Sequence, residues 1–169
     1  QVDAVQAKRS PGSTLKPFVY GLALEKGWRP ADVLFDVPGR YATRHGSWAP
    51  ENYDERFRGP MRLREALACS QNVPAVRLLD EVGPATLHSR LLRVGFELPE
   101  PTAHYGLGLG LGDAETTLEQ LTTAYGALGR GGEWTPVRTR LAISDGADPR
   151  RDSSTVPSSA IASITRRIW

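Results

Sequence analysis

A serine and a lysine three positions apart, Ser13 and Lys16 in the run RSPGSTLKPF, are the residues most able to do chemistry. On a helix this spacing places the hydroxyl and the amine on the same face, one turn apart. Serine is a weak nucleophile until a base takes its proton, and lysine becomes such a base when burial or a second cation lowers its pKa. The pair is therefore a candidate nucleophile with its own general base.

The surrounding residues predict a helix over about 13–25, with Ser13 or Thr14 as its cap. Pro17 must lie in the first turn, where a missing N–H costs nothing. The first-turn amides then point toward the hydroxyl and could stabilise an oxyanion. The same residues allow a second interpretation, in which Ser13 is only a cap and Lys16 is solvated. The predicted apolar side of the helix consists of Leu15, Phe18, Val19, Leu22 and Ala23.

A second group, Ser70-Gln71-Asn72, lies in the connection between the helix-like segments LREALA and PAVRLLDEV. In a functional interpretation, the hydroxyl of Ser70 relays a proton and the amide of Asn72 binds a substrate carbonyl. In a structural interpretation, Ser70 ends one helix and Asn72 caps the next, with Pro74 in its first turn. Local sequence alone leaves both open.

Composition limits the function classes. The chain has 169 residues, of which 40% are hydrophobic and 24% charged, with a net charge of +2. This is ordinary globular composition, and the scattered arginines do not indicate nucleic-acid binding. Cys69 is the only cysteine, so no internal disulfide can form. His45, His88 and His104 lack the spacing of a metal site, so these residues give no reason to expect a metal.

The rest of the chain predicts a mainly helical structure. Helices are expected at LREALA, at PAVRLLDEV, from Pro84 to about Val94, and at TLEQLTTAYGAL, where Thr117 and Gln120 form a capping box. VLFDVPGRY offers at most a short strand, and YGLGLGLGD matches no phosphate-binding loop. We expect an exposed loop over 144–159 and an amphipathic helix at SSAIASITRRIW. The chain begins at Gln1 rather than at Met, and it stops at Trp169 inside the expected amphipathic helix. We therefore expect it to be a segment of a longer protein.

The two motifs together resemble a known series of active-site sequence motifs. Ser-x-x-Lys followed some tens of residues later by Ser-x-Asn is the series of penicillin-binding proteins and serine β-lactamases, whose usual middle residue is Asp rather than Gln71. RSPGSTLKPFVYGLALEKG is similar to the nucleophile helix of class A penicillin-binding proteins, and LGDAETTLEQLTTAYGALGRGG to a later helix. PGSTLKPF and NYD-x-x-F look most like the type 1C branch. APENYDERFRGPMRLREALACSQNVPAVRLL resembles their second-motif segment through Pro50, Asn52, Tyr53, Phe57, Gly59, Leu63, Arg64, Ala66 and Leu67.

The resemblance implies a role for each motif residue. Ser13 would be the acylated nucleophile and Lys16 its general base. Ser70 would carry a proton between Lys16 and the leaving amine, and Asn72 would hold the substrate's amide. The substrates would be peptidoglycan stem peptides ending in D-Ala-D-Ala, and β-lactam antibiotics would acylate the same serine. An enzyme of this type would need no metal and no cofactor.

The family's third motif, Lys-Thr-Gly or Lys-Ser-Gly on a strand, occurs nowhere in the chain. We therefore expect residues 1–169 to be a partial transpeptidase domain, truncated at both ends: the helical part of an α/β fold whose central sheet lies largely outside the segment. Without that sheet, we expect the nucleophile helix to expose an apolar face. The isolated segment should then be catalytically incomplete and marginally stable.

By the same resemblance, the parent protein would sit in the bacterial cytoplasmic membrane with its catalytic domain outside, and would carry a glycosyltransferase domain. Two alternatives stay open. One is a serine β-lactamase or β-lactam-sensing receptor, which shares the first two motifs. The other is a non-catalytic helical binding module that keeps the motif residues as caps.

Overall fold

A computed structural model describes residues 3–44 and 46–137, which are mainly helical. Two 3₁₀ helices, Gly12–Leu15 and Gly106–Leu111, accompany the α-helices. The loop expected over 144–159 and the helix expected at 158–169 lie outside the described residues. The α-helices are α1 (Lys16–Glu25), α2 (Leu63–Ala68), α3 (Asn72–Val82), α4 (Pro84–Arg93), α5 (Thr102–Tyr105) and α6 (Leu118–Gly129).

Helix α1 forms the centre of the molecule. Lys16 and every residue from 18 to 24 are buried, where the helix packs against α3, α4 and the Gly106–Leu111 helix. The expectation that this helix exposes an apolar face is therefore wrong. Its apolar residues contact helices that follow it in the same chain, so α1 does not require an external sheet for its burial.

The helices predicted within the described residues are confirmed, including the capping box of Thr117 and Gln120 at the start of α6. Pro17 lies in the first turn of α1, as expected. The caps predicted for α1 and α3 are wrong. Neither Ser13 nor Thr14 caps α1, and Asn72 is the first residue of α3 rather than its cap.

Four short strands occupy the segment that the sequence left almost irregular. They pair as two antiparallel ribbons, β1 (Val33–Asp36) with β4 (Gly59–Arg62), and β2 (Tyr41–Thr43) with β3 (Gly46–Trp48). Alternation along β1 exposes Val33 and Phe35 and buries Leu34 and Asp36. The carboxylate of Asp36 is thereby turned into the interior. No central sheet is found among the described residues.

The glycine-rich segment supports the turn that carries Ser13. Gly112, at φ +90° after the Gly106–Leu111 helix, lies so close to Gly12 that a Cβ on Gly112 would be 2.2 Å from the Gly12 nitrogen. The hydroxyl of Ser10 donates to the Gly112 carbonyl at 2.7 Å, and Arg9 pairs with Thr116 through two backbone hydrogen bonds of 2.9 Å. These contacts fix the backbone immediately before Ser13.

We predict that Gly112→Ala destabilises the protein by about 2–4 kcal/mol, from left-handed strain plus overpacking against the Gly12 backbone. Gly131→Ala is the matched control, since Gly131 also has a positive φ (+70°) but open space where the Cβ would be. It should cost only about 1 kcal/mol. Denaturant unfolding of both variants checks this, and equal losses would contradict the backbone contact.

Candidate active site

The amine of Lys16 lies inside the protein and meets the second motif. Lys16 has no exposed surface. Its Nζ donates to the Asn72 Oδ1 at 2.7 Å, to the Ser70 Oγ at 3.2 Å and to the Ser70 carbonyl. The structure therefore joins Lys16, Ser70 and Asn72 across more than fifty positions of sequence. The interpretation of Lys16 as a solvated residue is wrong.

Ser13 lies one turn before Lys16 and is exposed. Its carbonyl accepts the backbone N–H of Lys16, so the two residues share one continuous helical turn. No hydrogen bond ties its hydroxyl to another residue in the described part of the chain. The interpretation of Ser13 as a cap is therefore wrong, and the hydroxyl is free to meet a ligand.

Burial also sets the proton affinity of the amine. Desolvation disfavours the charged form and lowers the pKa of Lys16 from 10.5 to about 8. At pH 7 roughly a tenth of this amine is then neutral, far more than of an exposed lysine. A self-activated serine nucleophile requires a neutral amine within reach of its hydroxyl. In the described structure the Lys16 amine is hydrogen-bonded to Ser70 and Asn72, and Ser13 lies one turn away without a hydrogen bond to that amine.

The backbone conformation of Ser70 directs it toward Lys16. Ser70 follows α2 with φ +53°, a left-handed position that glycine usually occupies at a helix end. Its N–H donates to the Leu67 carbonyl and the N–H of Gln71 to the Ala66 carbonyl, the two bonds of a Schellman motif. Serine here costs roughly 1–2 kcal/mol. The Ser70 side chain that contacts Lys16 is thus held in a strained turn.

Asn72 is held from two sides. Its Oδ1 accepts from Lys16, and its Nδ2 donates to the Glu51 carbonyl at 3.0 Å, which leaves one N–H for a ligand. Its backbone N–H donates to the Asn52 Oδ1 at 2.9 Å. Sequence reasoning noticed Asn52 only as part of a resemblance and assigned it no chemistry.

Other features nearby do not add to this cluster. A cavity of about 1390 Å³ lies next to Ser10 and Gly112, and none of Ser13, Lys16, Ser70 or Asn72 lines it. Cys69, the residue before Ser70, is exposed. Within residues 3–44 and 46–137, no group of His, Cys, Asp and Glu side chains is arranged to hold a metal ion.

Comparison with known proteins identifies relatives of the whole segment. The profile described as "Penicillin binding protein transpeptidase domain" matches residues 1–168. Penicillin-binding protein 1C of Escherichia coli is 46% identical over 134 residues, covering 78% of this chain and 17% of that protein. Penicillin-binding protein 1A of Neisseria cinerea is 40% identical, covering 76% and 16% respectively. The chain thus spans only a small part of these relatives.

Solved structures share the fold. Penicillin-binding protein 1A of Haemophilus influenzae superposes with a TM-score of 0.71 at 35% identity, over 79% of this chain and 20% of that one. Penicillin-binding protein A of Mycobacterium tuberculosis, solved as an imipenem acyl-enzyme complex, gives a TM-score of 0.65 at 22% identity, over 78% and 34%. At that identity the second likeness concerns the fold alone.

The strain at Ser70 can be measured by comparing two variants. Ser70→Gly and Ser70→Ala both remove the hydroxyl contact to Lys16, but only glycine relieves the left-handed conformation. Ser70→Gly should therefore be more stable than Ser70→Ala by about 1 kcal/mol. Denaturant unfolding gives the difference, and an alanine variant as stable as the glycine variant would show that the turn is unstrained.

Proposed function

Since this chain belongs to the penicillin-binding protein transpeptidase family, we propose that it is part of a serine D,D-transpeptidase that crosslinks peptidoglycan stem peptides. One observation carries the proposal: the buried Nζ of Lys16 contacts both the Ser70 Oγ and the Asn72 Oδ1, one turn from an exposed Ser13. Helix capping explains neither the burial of the amine nor its contacts, which argues against a non-catalytic module.

The partners of Lys16 determine where a proton can go. The Ser70 carbonyl and the Asn72 Oδ1 can only accept hydrogen bonds, whereas the Ser70 hydroxyl can accept or donate. A neutral amine has two N–H bonds, which these two oxygens can satisfy. Its lone pair is then available to a hydroxyl proton, from Ser13 during attack or from Ser70 during relay.

In the proposed reaction, the Ser13 Oγ attacks the carbonyl carbon of the penultimate D-Ala while Lys16 takes the hydroxyl proton. That proton passes through the Ser70 Oγ to the leaving nitrogen, the C–N bond breaks, and D-Ala departs from an acyl ester on Ser13. An amine of a neighbouring stem peptide then attacks the ester, and Ser13 recovers its proton. A β-lactam forms the same ester by opening its ring, with the leaving nitrogen still attached.

Asn72 is assigned to substrate binding. Its Nδ2 has one N–H directed at the Glu51 carbonyl and a second that can donate to the amide carbonyl of a stem peptide. Because Lys16 fixes the Oδ1 end, the amide group is oriented before substrate arrives. Such preorganisation lowers the cost of aligning the reacting groups.

We further propose that residues 1–169 are a portion of a longer enzyme whose remaining segments supply the third motif. In this proposal the enzyme is anchored in the bacterial cytoplasmic membrane and also carries a glycosyltransferase domain. Its transpeptidase domain, to which residues 1–169 belong, lies on the outer side of the membrane. None of the helices described here combines the length and apolarity needed to cross a bilayer. The segment alone is proposed to be catalytically incomplete.

Labelling with a fluorescent penicillin tests the nucleophile. In the full-length enzyme, wild type and Ser89→Ala, a control at an exposed serine of α4, should carry the label on the peptide containing Ser13. Ser13→Ala should carry none. Label on Ser13→Ala would refute the assignment, and an adduct hydrolysed within seconds would indicate a β-lactamase instead.

The lowered pKa of Lys16 predicts a pH profile. Only the neutral amine accepts the Ser13 proton, so the acylation rate should rise about tenfold per unit below pH 8 and level off above it. Penicillin acylation rates from pH 6 to 10 measure this, with Ser13→Ala as the blank for spontaneous hydrolysis. A rate that stays flat or falls between pH 6 and 8 would exclude Lys16 as the base.

A further inference from the structure

A buried asparagine outside both motifs supports the second motif. Asn52 is 4% exposed and lies in the loop before β4. Its Oδ1 accepts the backbone N–H of Asn72 at 2.9 Å and that of Val73 at 3.2 Å. These are the first two residues of α3, and the residue at the N-cap, Gln71, makes no side-chain cap hydrogen bond. Asn52 therefore caps α3 from a distant part of the chain.

The other end of the Asn52 amide is anchored on a buried carboxylate. Its Nδ2 donates to both oxygens of Asp36, at 2.8 and 2.9 Å, and to the Arg56 carbonyl at 2.7 Å. Asp36 has no exposed surface and also accepts the backbone N–H of Arg58 at 3.0 Å. A carboxylate only accepts and a backbone N–H only donates, so the amide fits between them in one orientation.

We propose that Asn52 is a positioning residue for the acylation reaction, which holds the Ser70-Gln71-Asn72 turn against Lys16 by linking Asp36 to the start of α3. Asn52 makes no hydrogen bond to Ser13 or Lys16 and acts through the backbone of Asn72. This inference rests on the proposed function. A shift of about 1 Å in this turn would move the Ser70 hydroxyl and the Asn72 amide together, and displacements of that size cost on the order of 100-fold in rate.

Reversing the polarity of the contact provides the test. Asn52→Asp keeps an acceptor for the two N–H groups of α3 but sets a carboxylate against Asp36. We expect the variant's rate of penicillin acylation to fall about tenfold or more. Adding Asp36→Asn gives position 36 an amide that can donate to the new carboxylate at position 52, and it restores the original net charge. The Arg56 carbonyl, which loses the Asn52 amide, still accepts a hydrogen bond from the Arg58 guanidinium. The double variant should acylate within about threefold of wild type.

Rescue shows that Asn52 and Asp36 act as a pair, because two independent destabilising substitutions would add. Positioning is separated from stability by measuring acylation at a temperature where thermal unfolding shows each variant to be folded. Measurements use the full-length enzyme, with thermal unfolding recorded for each variant. An Asn52→Asp variant that acylates at the wild-type rate would overturn the inference, as would a double variant that stays slow or fails to fold. If wild type itself takes no label on Ser13, the proposed function fails rather than the role of Asn52.

Discussion

The structure depends on keeping one amine inside the protein. An ammonium group removed from water is costly unless it is paired, and Lys16 has no carboxylate partner among its hydrogen bonds. Three neutral oxygens surround it instead. They stabilise the charged form less than a carboxylate would, so burial can lower the pKa to about 8 without expelling the side chain. An Asp in place of Asn72 would instead favour the ammonium form, which would raise the pKa of Lys16 and leave less neutral amine to accept a proton.

The need to pair the buried Lys16 amine explains why Ser70 adopts an unfavourable left-handed backbone conformation. The Lys16 amine needs both the carbonyl and the hydroxyl of this residue, which a standard helix end would direct elsewhere. A left-handed residue after α2 reverses the chain within one position, and glycine there would lack the hydroxyl. Strain of this kind is typical of functional sites, where the surrounding structure holds a residue that local preference disfavours.

The sequence predicted much of this arrangement, for identifiable reasons. Helix patterns, Pro17 and the capping box of α6 depend on neighbours within a turn or two, and they were confirmed. The sequence could not decide whether Ser13 and Asn72 cap helices or serve the reaction, because both roles favour the same residue types. Burial of Lys16 and its contacts with Ser70 and Asn72 favour the proposed catalytic use, and they arise from packing against residues more than fifty positions away. The short strand allowed at VLFDVPGRY is β1, whereas β2, β3 and β4 were missed because strands of three or four residues carry too little alternation to be recognised.

The distant cap on α3 resolves a conflict between helix stability and chemistry. A helix start normally uses a nearby hydroxyl or amide side chain to satisfy its first N–H groups. The N-cap residue of α3, Gln71, makes no such bond, and its neighbours Ser70 and Asn72 contact Lys16, from which capping would withdraw them. Because Asn52 supplies the acceptor and Asp36 holds Asn52, both side chains remain available. In the proposed reaction, the buried Asp36 carboxylate would therefore contribute from a distance, by keeping these two side chains free.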